Sequence, residues 1–136
     1  MGKLLAFDYG LKRCGVAVTD ELQIIASGLL TVASSDIFKW LENYLKTENI
    51  EGFVVGLPLQ MNGKPSESTE IIEKFVSKLK FKNPSIPVHR IDERFTSKIA
   101  FNSMIDSGLS KKKRRDKALV DEISATLILQ NYMASR

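Results

Sequence analysis

Apolar positions in the first quarter of the chain come in short runs of strand-like period, and the period changes to a helical one farther on. Residues 3–9 (KLLAFDY), 14–19 (CGVAVT) and 24–32 (IIASGLLTV) each read as a strand. The GLKR turn joins the first two, with Gly10 at its start, and Gly28 suggests a bulge in the third. Short turns make these three strands antiparallel neighbours. Ser34, Ser35 and Asp36 then offer an N-cap, with Ile37, Leu41, Tyr44 and Leu45 following at helical spacing. GFVVG at 52–56 reads as a buried strand, followed by the loop LPLQMNGKPSES. A helix carrying Ile71, Ile72, Phe75, Val76 and Leu79 on one side comes next, and IPVHRI is the fifth strand. Another helix is expected from Thr96 or Ser97 to Gly108, and a last one from Lys117 to Ala134.

The order βββαβαβαα predicts an α/β fold, a mixed sheet with helices on both faces. Right-handed crossovers set strands four and five parallel to strand one. In such sheets the site lies beyond the carboxyl ends of the parallel strands. Several acids fall there: Asp8 ends strand one, and Asp92 and Glu93 end strand five. The Gly56-Leu57-Pro58 loop leaves strand four at the same edge. Asp121 opens the last helix and shares a face with Ser124, Ala125 and Ile128. Carboxylates gathered this way repel one another unless a cation lies between them, and Mg2+ or Mn2+ suits oxygen donors. Two such ions can activate water and stabilise the leaving oxygen of a phosphodiester. Each acid also has a plainer reading: Asp8 as an acceptor in the Gly10 turn, Asp92 or Glu93 as a cap or as the partner of Arg94, Asp121 as a surface helix acid.

Composition narrows the class. The chain has 136 residues, 43% apolar and 26% charged, which fits a single globular domain over 1–136. No apolar run approaches a membrane span, and MGKLLAFDYG enters strand-like sequence without a signal peptide. A cytoplasmic location with no membrane partner is the expectation. One cysteine, Cys14, rules out an internal disulfide and reads as a core thiol; the single histidine, His89, sits inside a strand and reads as structural. Of twenty basic and sixteen acidic residues, six basic and one acidic lie in KKKRRDK at 111–117. The remainder, 14 basic against 15 acidic, is near neutral. A cationic segment on such a body is suited to a phosphate backbone. No G-x-x-x-x-G-K-[ST] loop is present to favour a nucleotide-using protein.

DYGLKRCGVAVTD, VVGLPLQMNG, IDERFTS and GLSKKKRRDKALVDEISATLILQ together resemble the YqgF family, pre-16S rRNA nucleases also called RuvX-like Holliday junction resolvases. The resemblance covers nearly the whole chain. It implies an RNase H-like sheet of five strands in the order 3-2-1-4-5, strand 2 antiparallel, and metal-dependent phosphodiester hydrolysis. It assigns Asp8, Glu93 and Asp121 as catalytic acids holding Mg2+ or Mn2+, choosing Glu93 over Asp92. Lys12 and Arg13 match the basic pair after DYG and are expected on phosphates. Arg94 and the segment Lys111, Lys112, Lys113, Arg114 and Arg115 complete the expected nucleic-acid contacts. Gly10 and Gly15 are expected to let backbone and substrate come close. The implied substrate is structured RNA, foremost precursor 16S rRNA, with pre-ribosomal particles as partners. The alternatives are branched DNA and a non-catalytic RNA-binding assembly factor. Against the DNA-junction reading, strand four ends in Gly-Leu-Pro without an acid, and Ser124 stands where a second last-helix acid could sit.

Overall fold

The computed structural model describes residues 2–57, 69–92 and 117–136. The described elements are β1 (Lys3–Tyr9), β2 (Arg13–Thr19), β3 (Ala26–Ala33), a 3-10 turn (Ser34–Asp36) and α1 (Ile37–Tyr44). They continue with β4 (Ile50–Leu57), α2 (Thr69–Lys82), β5 (Val88–Asp92) and α3 (Lys117–Ser135). The strands form one sheet in the order β3-β2-β1-β4-β5. β2 is antiparallel to both β1 and β3, while β4 is parallel to β1 and β5 to β4. The expected α/β sheet is therefore present, with its strand order and directions. The helix expected up to Gly108, the loop from Pro58 to Ser68, Glu93, Arg94 and the basic segment Lys111–Arg115 lie outside the described residues.

Alternation along the central strand explains why both faces are covered. Leu5 and Phe7 join Cys14, Val16, Phe53 and Val55 in a core roofed by α1 and α2. Leu4 and Ala6 point the other way and pack with Ala17, Val54, Ala125, Ile128 and Leu129 of α3. β1 is thus buried on both sides, as a parallel-sheet centre requires. The face of a residue in β1 is fixed by its parity, which places Asp8 beneath α3, two residues beyond Ala6.

The turns account for the element ends. The backbone N–H of Gly10 donates to the carbonyl of Arg13 at 2.9 Å and closes the first hairpin. β3 starts two residues later than its apolar run, because the N–H groups of Ile24 and Ile25 donate to Asp20 Oδ1 at 2.8 and 2.9 Å instead of to a strand. Gln23 holds a left-handed φ of 56° there, and its side-chain amide donates to the carbonyl of Gly2 at 2.8 Å and also to Glu51. The bulge expected at Gly28 is present: Val16 pairs with Leu30 and Ala17 with Gly28, leaving Leu29 as the extra residue. The expected N-cap is corrected. Asp36, at the N-cap of α1, makes no capping side-chain bond, and Ser34 lies in the 3-10 turn with its hydroxyl donated to the Gly10 carbonyl at 2.6 Å. That hydroxyl serves the β1–β2 turn rather than the helix.

Candidate active site

Asp8 and Asp121 lie 113 positions apart in the sequence and meet because of a residue with no side chain. Across the β1–β2 ladder the partner of Asp8 is Gly15. A Cβ built on Gly15 would overlap the backbone carbonyl of Asp121 and touch its Cβ at 3.0 Å. The backbone of α3 therefore rests directly on β2 at the residue opposite Asp8. Ser124, Ala125 and Ile128, the expected neighbours of Asp121 on its helix face, are buried below it. Gly15 thus lets the helix backbone come close to the strand, as expected of it.

Asp8 and Asp121 line one open cavity of about 400 Å3, together with Gly10, Leu11, Lys12 and Arg13. Arg13 Nε donates to Asp121 Oδ2 at 2.8 Å, an ion pair whose side chains are 38% and 20% exposed. Four of the sequence-derived candidates, Asp8, Lys12, Arg13 and Asp121, are brought together at the carboxyl edge of the sheet. The cavity opens at the carboxyl end of β1, the edge at which the sheet's parallel strands end. Nearby negative charge registers on Cys14, buried on the opposite face of β2: burial pushes its thiol well up, and the Asp8 and Asp121 carboxylates add to the shift.

Parity also places the β5 side chains. His89 stacks on Tyr132 of α3 with ring centroids 4.9 Å apart, and Ile91 packs in the α3 core. Arg90 points the other way, to Glu73 of α2 at 2.8 Å. The two-residue period puts Asp92 on the Arg90 face, away from the side of the sheet that holds Asp8. His89 has the structural role expected of it. Arg90 itself is a residue the sequence reading passed over. Besides Glu73 it donates to the carbonyls of Val55 and Gly56 at 3.2 and 3.1 Å, tying α2 to the carboxyl end of β4. Its signal was an arginine inside the otherwise apolar IPVHRI run.

The donor set suits a divalent cation. Two carboxylates offer hard oxygen ligands at one cavity, and the Arg13 guanidinium is the counterion of one of them, which a bound cation would have to share. Among the described residues no third acid, histidine or cysteine completes a cluster.

A family model described as "Holliday junction resolvase", RuvX, matches residues 2–135. A protein of Flavobacterium psychrophilum is 57% identical over 136 residues, covering 100% of this chain and 99% of its own, and is named "Putative pre-16S rRNA nuclease". One of Christiangramia forsetii with the same name is 57% identical over 133 residues, 98% of each chain. Among solved structures, Fowlpox virus resolvase with Holliday junction DNA superposes with a TM-score of 0.58 at 15% identity, covering 98% of this chain and 97% of that one. T. thermophilus RuvC in complex with a Holliday junction gives 0.56 at 14% identity, over 99% and 98%. These two neighbours share the fold. With the family model spanning nearly every residue and relatives matched end to end, the chain belongs to the RuvX family.

Proposed function

We propose that this chain is a nuclease that hydrolyses phosphodiester bonds of structured RNA, with precursor 16S rRNA as its substrate. The observation that carries the proposal is the convergence of Asp8 and Asp121 on one cavity edged by Lys12 and Arg13. The curated relatives named for pre-16S rRNA support the choice of substrate. Asp8, Asp121 and Glu93 are the residues that would hold Mg2+ or Mn2+. Bound there, the cation supplies an activated water and charge stabilisation for the leaving oxygen.

The chain's own residues do the rest. Asp8 is fixed by the strand and Asp121 by the helix, so both ligands sit on rigid elements. Arg13 orients the Asp121 carboxylate through Nε, and the rest of its guanidinium fork is suited to a substrate phosphate. Lys12, exposed at the rim, holds an adjacent phosphate. Arg94 and Lys111–Arg115 grip the strand farther out and position it without reading its sequence. The whole chain, 1–136, acts as one cytoplasmic nuclease domain that meets its substrate in pre-ribosomal particles.

Branched DNA is the second reading, favoured by the "Holliday junction resolvase" description of the family. The experiment that separates these readings compares wild type with Asp8→Asn and Asp121→Asn on precursor rRNA and on a four-way DNA junction, each with Mg2+, Mn2+ or EDTA. Asparagine keeps the shape of the side chain and removes the charge. Both variants are expected to bind RNA but to lose more activity than the roughly 10–100-fold that removal of an outer-shell partner costs. Cleavage of the junction alone would name DNA as substrate. Binding without cleavage by wild type, unchanged in the variants, would leave an RNA-binding assembly factor.

A further inference from the structure

On the face of the sheet opposite Asp8 and Asp121, α1 and α2 border a groove. One cavity of about 340 Å3 lies at its upper end and another of about 440 Å3 below, and Phe38 lines both. The upper cavity opens beside Tyr9, the residue after Asp8, and beside Ser34, whose hydroxyl is held by the Gly10 carbonyl. The groove therefore starts at the same carboxyl edge as the candidate active site and runs away from it.

Its floor is aromatic and its rim cationic. Tyr9 stacks on Phe75 with centroids 4.2 Å apart and planes within 8°, and the Phe38 ring lies 5.4 Å from that of Phe75. Lys74, Lys78 and Lys82 recur every four residues along α2, each about 6 Å farther down the helix axis. The Nζ atoms of Lys78 and Lys82 stand 4.7 and 5.7 Å from the Phe38 ring centroid. Lys46 lines the lower cavity from the α1 side. Two acids oppose them. Glu42 also lines the lower cavity, and Glu70 pairs with Lys74 at 3.3 Å, but that pair is almost fully exposed and holds weakly. Lys78 and Lys82 have no carboxylate partner among the described residues.

Phe75 is buried under Tyr9, so the ring a base can reach is Phe38, which Lys78 and Lys82 cover. Lysines that move from that ring onto phosphates leave it to a base, the chemistry of single-strand binding. A duplex would satisfy the lysines but keep its base faces hidden. We propose that this groove binds a single-stranded segment of nucleic acid, the part of the substrate strand that continues past the cut. The inference rests on the nuclease reading and extends it by naming what the substrate must offer beside the scissile bond.

The test uses the full chain in EDTA and two hairpin RNAs, one with a single-stranded extension and one trimmed flush. Binding is titrated against salt for wild type, for the Lys78→Ala/Lys82→Ala pair and for Phe38→Leu, with thermal unfolding to verify folding. The lysine pair lies on the surface, so it remains informative if Phe38→Leu fails to fold. Losing two phosphate contacts should weaken binding of the extended hairpin on the order of tenfold and flatten its log–log salt slope by about 1.4. Phe38→Leu should weaken the extended hairpin by about fivefold with no change of slope. The trimmed hairpin should be bound alike by all three proteins. Equal losses on both hairpins, or no loss on either, would overturn the proposal. So would a change in sedimentation with RNA binding intact, which would make the groove an interface between copies of the chain. Cleavage with Mg2+ or Mn2+, and its absence in Asp8→Asn, tests the nuclease reading separately. Extension-dependent binding without any cleavage by wild type would overturn that reading alone, and cleavage without extension-dependent binding would overturn the groove alone.

Discussion

Asp8 is an acid on a strand whose neighbours Leu4 to Phe7 are buried, and such a position needs compensation. Its location on the α3 face, at the last open step before the turn, lets the carboxylate reach a cavity instead of the core. Cys14, one residue before the Asp8 cross-strand partner, occupies the opposite face and is inert for the same parity reason. Burial, reinforced by the Asp8 and Asp121 charges, favours its protonated form. An unfolded thiol loses its proton near pH ~8.5, so above that pH the folded chain carries the extra proton. Stability is then complete below about pH 8.5 and declines as pH rises past it, because the unfolded state binds fewer protons. Urea titrations from pH 7 to about 10 should show this decline in wild type and a flatter line in Cys14→Ala. Thiol reagents at neutral pH should label Cys14 only on unfolding, at a rate that follows denaturant.

Elements meet at the site through backbone contact rather than side-chain complementarity. α3 lies close on β2 because Gly15 leaves room, and that approach carries Asp121 to the cavity. Gly15→Ala should therefore cost about 1–3 kcal/mol through overpacking and also shift the helix that bears Asp121. Gly28→Ala is the control. Its nearest contacts are the Thr126 hydroxyl at 3.3 Å and the Glu122 side chain, which can move. Chemical denaturation and cleavage assays on both variants should show Gly15→Ala damaging stability and activity together, with Gly28→Ala much closer to wild type. Arg90 adds a second anchor, binding the last carbonyls of β4 to α2, so the two strands that end at this edge are held from both layers.

Across the molecule, charge is distributed against a near-neutral body, with the surplus in residues 111–117. Among the described residues no helix is long and apolar enough to cross a membrane. RNA binding should weaken steeply with salt. Replacing Lys111 to Arg115 by glutamine should lower the log–log slope by about 3.5, measured on one RNA across a salt series, if all five contact phosphates of a single strand. A slope unchanged by that replacement would move the phosphate grip to other cations, those of the α1–α2 groove included.

How far the sequence reached depends on how local the physics was. Hairpin turns, apolar periods and the handedness of crossovers are properties of neighbouring residues, and they sufficed for the order of the described elements and the strand directions. Family motifs added the strand order and singled out Glu93, whose position lies outside the described residues. Three features depended on contacts between distant segments, which no spacing encodes. Gly15 makes room for a helix more than a hundred positions away, Arg13 takes Asp121 as its partner, and Phe38 with Lys78 and Lys82 forms a groove across two helices. The chain's own pattern singled out Asp8 as a candidate, because charge on a buried strand is costly and conspicuous. Packing decided that Asp121 joins it, because only close approach of backbones in the folded chain brings those carboxylates to one cavity.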